Sequence, residues 1–296
     1  MSKTGLIRYA PMMRLMTMAI VWLVLLVWHF NAYRADCAVS LGVLAVLSLF
    51  VAGAGVERAA LLRRALLDDR TNDQAERLRV LLDSRTVMVL REGGVALVLA
   101  VILLVVSLSF EPRQWSVLFI DLLLLALLIP RMSEALDDRV PARFRYAIAR
   151  RRAMWLSVLL LWGEALMVLM FSPPEDYFGL RWQEVVSYGV VRPDASCAML
   201  GQAAEVLSTG RALAIWAVQN GARVLNDPSQ AIMVWIGYGS LFAVSLLVAL
   251  AYSRALVGVM ARPWELRAAR RSQQRGGGPA AGSGPEMVPG HAPGTN

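Results

Sequence analysis

Six stretches of this chain are almost free of charge, and charged segments separate them. They run from Leu15 to Tyr33, Cys37 to Val56, Val95 to Phe110, Trp115 to Pro130, Met154 to Phe171 and about Ala231 to Val257. The shortest hold 16 residues. That is about 24 Å of helix, so flanking residues must complete a crossing of the ~30 Å hydrocarbon layer. Lipid offers backbone amides no partner, so each run has to satisfy its own hydrogen bonds as a helix. The pattern predicts an all-α, polytopic membrane domain over 1–271 with six transmembrane helices. The third and fourth form a tight hairpin across Glu111-Pro112-Arg113-Gln114. Lys3, Arg8 and Arg14 precede the first run as in a signal anchor, and no small-x-small cleavage pattern follows it.

Between the runs the pattern turns amphipathic. In the 57–92 segment Leu61, Leu62, Ala65 and Leu66 recur at helical spacing, as do Leu78, Leu81 and Leu82. Thr71-Asn72-Asp73-Gln74 lies between them and resembles a capping box, which predicts two short helices. The 172–230 segment is longer. There Pro173-Pro174 stops the fifth helix, and Asp194 is placed to cap an amphipathic helix from Ala195 to Leu225 that Gly210 could divide. Its stripe of Leu200, Ala203, Leu207, Ala214, Ala217 and Leu225 suits a helix lying on the membrane surface or capping the bundle. From Ser272 to Asn296, 11 of 25 residues are Gly or Pro, and too little apolar surface remains to offset chain entropy. A disordered tail is expected there.

Charge orients this domain. Lys and Arg number 3 before the first run, then 1, 8, 1, 7 and 4 between successive runs, and 6 from Arg254 onward. High counts alternate with low ones. The positive-inside rule then gives an N-in/C-in topology, with the 57–92 and 131–153 segments cytoplasmic and the 172–230 loop outside. In a soluble protein a net charge of +8 would suggest nucleic acid. Here the arginines flank membrane runs, where they set topology and meet anionic lipid headgroups, so no nucleic-acid partner is expected. Tyr33, Trp115, Tyr177 and Trp182 fit an outer aromatic belt; Tyr9, Trp155, Tyr252 and Trp264 fit an inner one. With 57% hydrophobic and 18% charged residues, the chain is excluded from the soluble globules, coiled coils and disordered proteins. A bacterial inner membrane is the expected location.

Candidate chemistry is sparse. Asp121 and Glu164 interrupt apolar runs at similar depth, about 9–10 Å below the outer boundary at helical rise. An ionised carboxylate there costs several kcal/mol, so each is expected to be protonated, paired or in contact with water. His29 lies near the outer end of the first run, which makes Asp121, Glu164 and His29 the candidate intramembrane polar site. The competing reading is interhelical hydrogen bonding that fixes packing. Gly237-Tyr238-Gly239-Ser240 resembles an intramembrane serine nucleophile only faintly, because that chemistry needs a histidine base on a facing span and neither of the two histidines, His29 and His291, is well placed along the chain. Zinc-protease, P-loop and dinucleotide signatures are absent, so no catalytic residue, cofactor or metal ligand is assigned. Two cysteines remain. The topology puts Cys37 and Cys197 on the same, oxidising side, and a disulfide between them is expected, with Cα atoms within about 7 Å. The resulting expectation is a non-enzymatic subunit or assembly factor of an envelope complex, with protein partners. The alternative is a small transporter or channel using Asp121 and Glu164.

Overall fold

The computed structural model describes residues 3–68, 85–137, 142–171, 175–189, 197–224 and 228–260. Among these, every regular element is a helix: α1 Lys3–Asn31, α2 Cys37–Asp68, α3 Arg85–Val106, α4 Pro112–Glu134, α5 Ala142–Phe171, α6 Trp182–Gly189, α7 Ala198–Val224 and α8 Pro228–Val259. Single 3-10 turns, Ala32–Arg34 and Ser107–Ser109, close α1 and α3. Six helices are long and apolar enough to span a bilayer, over Met12–Arg34, Cys37–Gly55, Leu90–Ser109, Pro112–Glu134, Arg145–Phe171 and Gln230–Val259.

Each expected run is therefore a helix, and most helices outlast their run. α2 continues unbroken to Asp68, so the first short helix expected after Val56 is an extension of the second span. Nothing in Glu57–Asp68 breaks a helix, and no glycine or proline intervenes. The second one, with Leu78 to Leu82, lies outside the described residues, as do Pro173-Pro174, Asp194 and the 272–296 tail. α7 passes through Gly210 without a break. One glycine costs only about 1 kcal/mol against alanine, which the packing along α7 outweighs. α4 starts on a capping box: Pro112 occupies its first turn and Gln114 Oε1 accepts the Glu111 amide at 2.9 Å.

The bundle packs around one apolar cluster that includes Met18, Leu25, Leu47, Leu103, Leu122, Leu125 and Leu256. Large side chains on the opposite faces stay exposed, among them Ile20, Leu23 and Val27 on α1 and Ile120 and Leu127 on α4. Water would not tolerate that surface, but lipid does. α5 shows the two faces best. Ala149, Arg150, Ala153, Met154, Ser157, Val158 and Leu161 are buried, while Arg151, Arg152, Trp155, Leu156, Leu159 and Leu160 are exposed.

A second cluster forms a lobe. Tyr177, Val185, Ala212, Ile215, Trp216, Ala217 and Val234 bring together α6, the second half of α7 and the first half of α8. Here α7 runs antiparallel to α8: Ser240 Oγ donates to the Gly210 carbonyl at 3.3 Å. A Cβ on Gly237 would come within 2.6 Å of the Leu213 carbonyl oxygen, so glycine is what allows this close approach. α7 also holds the 175–181 loop. Asn220 Nδ2 donates to the Tyr177 carbonyl (2.9 Å), Asn220 Oδ1 accepts the Gly179 amide (2.8 Å) and Trp216 Nε1 donates to the Leu180 carbonyl (2.9 Å). Gly179 itself turns with φ +82°, a left-handed conformation suited to glycine. The 32 residues of α8 span about 48 Å, well beyond a hydrocarbon layer. Its first half belongs to the lobe and its second half to the bundle.

Candidate functional site

Three spans meet at Asp121. It stands on α4 with 4% exposure, and Ser157 of α5 donates its hydroxyl to Asp121 Oδ2 at 2.8 Å. Ser157 Oγ lies 2.8 Å from Ser253 Oγ of α8, and both serines are buried. With the Ser157 proton given to Asp121, Ser253 donates into Ser157. One residue before Ser253, the wholly buried Tyr252 donates its hydroxyl to the Leu118 carbonyl of α4 at 2.8 Å. The expectation of Tyr252 in an interfacial belt is thereby corrected: its ring faces the interior because a carbonyl on α4 is there to accept its proton. Asp121 Oδ1 is buried with no hydrogen-bond partner among the described residues.

Glu164 and His29 lie elsewhere. Glu164 follows Ser157 by two turns of α5, about 10 Å at helical rise. It is half-buried, and its Oε1 has no hydrogen-bond partner among the described residues. His29 Nδ1 donates to the Ser107 carbonyl at 2.9 Å, and its ring packs edge-on against Trp115 at 5.3 Å. The neighbouring Trp28 donates through Nε1 to the Leu104 carbonyl at 3.0 Å. These carbonyls lie at the end of α3, where a helix leaves acceptors free, so His29 and Trp28 together pin α1 to α3. Among the described residues no hydrogen bond or ion pair links Asp121, Glu164 and His29, and no group of three His, Cys, Asp or Glu side chains could hold a metal ion.

At the other end of the bundle Arg150, 2% exposed, donates through Nη1 to the Met260 carbonyl at 3.1 Å. That carbonyl lies just past the C-terminus of α8, where the helix dipole favours a cation. Arg150 and Arg14 each place a guanidinium 4.7 Å from the Tyr146 ring. Sequence reasoning missed Ser157, Ser253, Tyr252, Arg150 and Tyr146. Only the serines left a signal, as hydroxyls inside apolar runs; Arg150 was hidden in the Arg150-Arg151-Arg152 string.

Cys37 and Cys197 form a disulfide with their Cα atoms 5.0 Å apart. It ties the start of α2 to the residue that precedes α7. Nearby, Arg211 of α7 pairs with Glu111 at 3.3 Å and donates to the Ser109 carbonyl at 3.3 Å. The first half of α7, which packs on the bundle cluster through Leu200, is thus tied to the bundle at Cys197, just before the helix, and again at Arg211.

Six apolar spans around a shared core define a multi-pass helical membrane protein. No family model matches this chain, and no curated protein or solved structure matches it either.

If the Asp121–Ser157–Ser253 chain holds α4, α5 and α8 together, Ser157→Ala should cost more than Ser253→Ala. The first leaves Asp121 without a donor and Ser253 without an acceptor, and a loss of about 1 kcal/mol is expected. The second removes only the end of the chain. Thermal unfolding of the two purified variants in one detergent checks the order, and equal midpoints would contradict it.

Proposed function

We propose that this chain is a non-enzymatic structural or assembly subunit of a larger envelope complex, in a bacterial inner membrane with both termini in the cytoplasm. The observation that carries this reading is how the intramembrane polar groups are used. Asp121 binds Ser157, Tyr252 binds the Leu118 carbonyl, and Trp28 and His29 bind the end of α3. Each contact joins one helix to another, which is a packing role. The lobe supports the same reading. It has its own apolar cluster and exposes Phe178, and the first half of α7, fastened to α2 by the disulfide, exposes Met199 and Val206. The orientation has two independent supports: the alternation of arginines, and a disulfide that belongs to an oxidising compartment on the Cys37 side.

A second reading, a small transporter or channel, is favoured by one observation. Asp121 Oδ1 and Glu164 Oε1 are both buried without hydrogen-bond partners among the described residues. Gentle extraction followed by native mass measurement separates the two. The subunit reading expects a partner protein in fixed stoichiometry and no ion flux from reconstituted chain. A monodisperse homo-oligomer whose flux disappears in Asp121→Asn or Glu164→Gln would overturn it and support transport.

A further inference from the structure

Arg151 and Arg152 stand on the exposed face of α5, and among the described residues no carboxylate pairs with either guanidinium. Below them the same face continues through Trp155, Leu156 and Leu159, which are 47%, 36% and 57% exposed. With Ile148 these residues line one shallow, open groove of about 550 Å³ along a single face of α5. Their spacing of three and four residues makes a single stripe along the helix. From Arg151 to Leu159 the stripe is about 12 Å long at helical rise. Polarity along it changes once, from two unpaired cations through an indole to leucines.

We propose that this groove is a binding site for one anionic glycerophospholipid. Its phosphodiester sits between Arg151 and Arg152, its ester region lies against the Trp155 ring, and an acyl chain runs over Leu156 and Leu159. Charge and hydrophobicity match the lipid in order as well as in kind. The site lies where α5 enters the bilayer, so long arginine stems cover apolar surface while their heads reach the phosphate level. Guanidinium forks also bind phosphate oxygens in pairs, which a single lysine does not do. Arg150 has a different task. It is buried on the opposite face and bonded to the Met260 carbonyl, so the three consecutive arginines divide between the interior and the lipid.

The inference rests on the chain being a membrane protein and not on the subunit reading, because it is tested on the single chain. Full-length protein in a neutral detergent is offered phosphatidylglycerol, phosphatidylcholine or glycerol phosphate, and retained molecules are counted by native mass spectrometry. The expected result is preferential retention of phosphatidylglycerol. The double variant Arg151→Gln/Arg152→Gln should weaken it roughly twentyfold, since each arginine near the headgroup layer contributes on the order of a fivefold factor. Arg131→Gln, an exposed arginine on α4, should leave it unchanged. Trp155→Ala should weaken phosphatidylglycerol and phosphatidylcholine alike. Retention unaffected by the double variant, or reduced equally by Arg131→Gln, would overturn the site. Equal binding of glycerol phosphate would show a plain anion site and overturn the lipid. Should the double variant fail to fold, the single Arg151→Gln and Arg152→Gln variants carry the test, each with about a fivefold loss expected.

Discussion

Replacing Gly258 with alanine is expected to destabilise the folded chain by about 3 kcal/mol, the upper end of the usual cost of overpacking. Gly258 is on α8, and a Cβ there would overlap the Phe50 carbonyl oxygen of α2. The approach is mutual: a Cβ on Gly53 would lie 2.6 Å from the Gly258 carbonyl oxygen. Both obstacles are backbone atoms, which cannot rotate aside as a side chain can. Close contact between small residues is a main source of helix association where lipid removes the hydrophobic drive. Gly239 provides the comparison on the same helix, since a Cβ there meets no atom within 4 Å. Gly239→Ala should be neutral or stabilising by up to about 1 kcal/mol through helix propensity alone. The monodisperse fraction remaining after heating in detergent, measured for both variants, checks the opposite signs. Two equal shifts would mean that α2 and α8 are not in this contact.

Breaking the Cys37–Cys197 disulfide should cost about 2–3 kcal/mol. The cross-link closes a loop of 160 residues, for which loop entropy alone gives about 5 kcal/mol. Membrane insertion already restricts the unfolded chain, so about half of that is expected. Reduction, or the Cys37→Ser/Cys197→Ser variant, should lower the thermal midpoint and expose the start of α7 to protease first. The Arg211–Glu111 pair then remains as the other described polar tie between α7 and the bundle, and it is exposed and weak. A membrane-impermeant maleimide applied to intact cells tests the bond and the orientation together. No label is expected before reduction and two labels after it. Labelling without reduction would exclude the bond, and no labelling after it would reverse the proposed topology.

The two cysteines show how far a topology count can reach. Arginine alternation put both on one side, and with two thiols there is one intramolecular pairing. The structure supplies the missing element, a 5.0 Å approach of their Cα atoms. The polar site shows where such counting stops. Depth along a helix can be read from residue number, so Asp121 and Glu164 were recognised as embedded. Which helix faces which cannot be read that way. Asp121 therefore bonds Ser157, which in turn bonds Ser253, and not Glu164 or His29, while His29 is held by a carbonyl that any residue could supply.

The sequence by itself determined the all-helical class, six apolar spans and their approximate limits. Each of these follows from a local rule, that backbone polar groups in lipid must be satisfied within one segment. Helix ends ran past the apolar runs wherever nothing broke them, as in α2 to Asp68 and α5 from Ala142. Only the tertiary structure decided how the apolar residues of α7 and α8 are shared between a lobe and a bundle. Val234 and Leu256 look alike in a hydropathy profile, yet one belongs to the cluster of Trp216 and the other to the cluster of Leu103 and Leu122. The same holds for Arg150 beside Arg151. The two are adjacent in the chain, and the 100° rotation per residue of a helix turns one toward a buried carbonyl and the other to the exposed face.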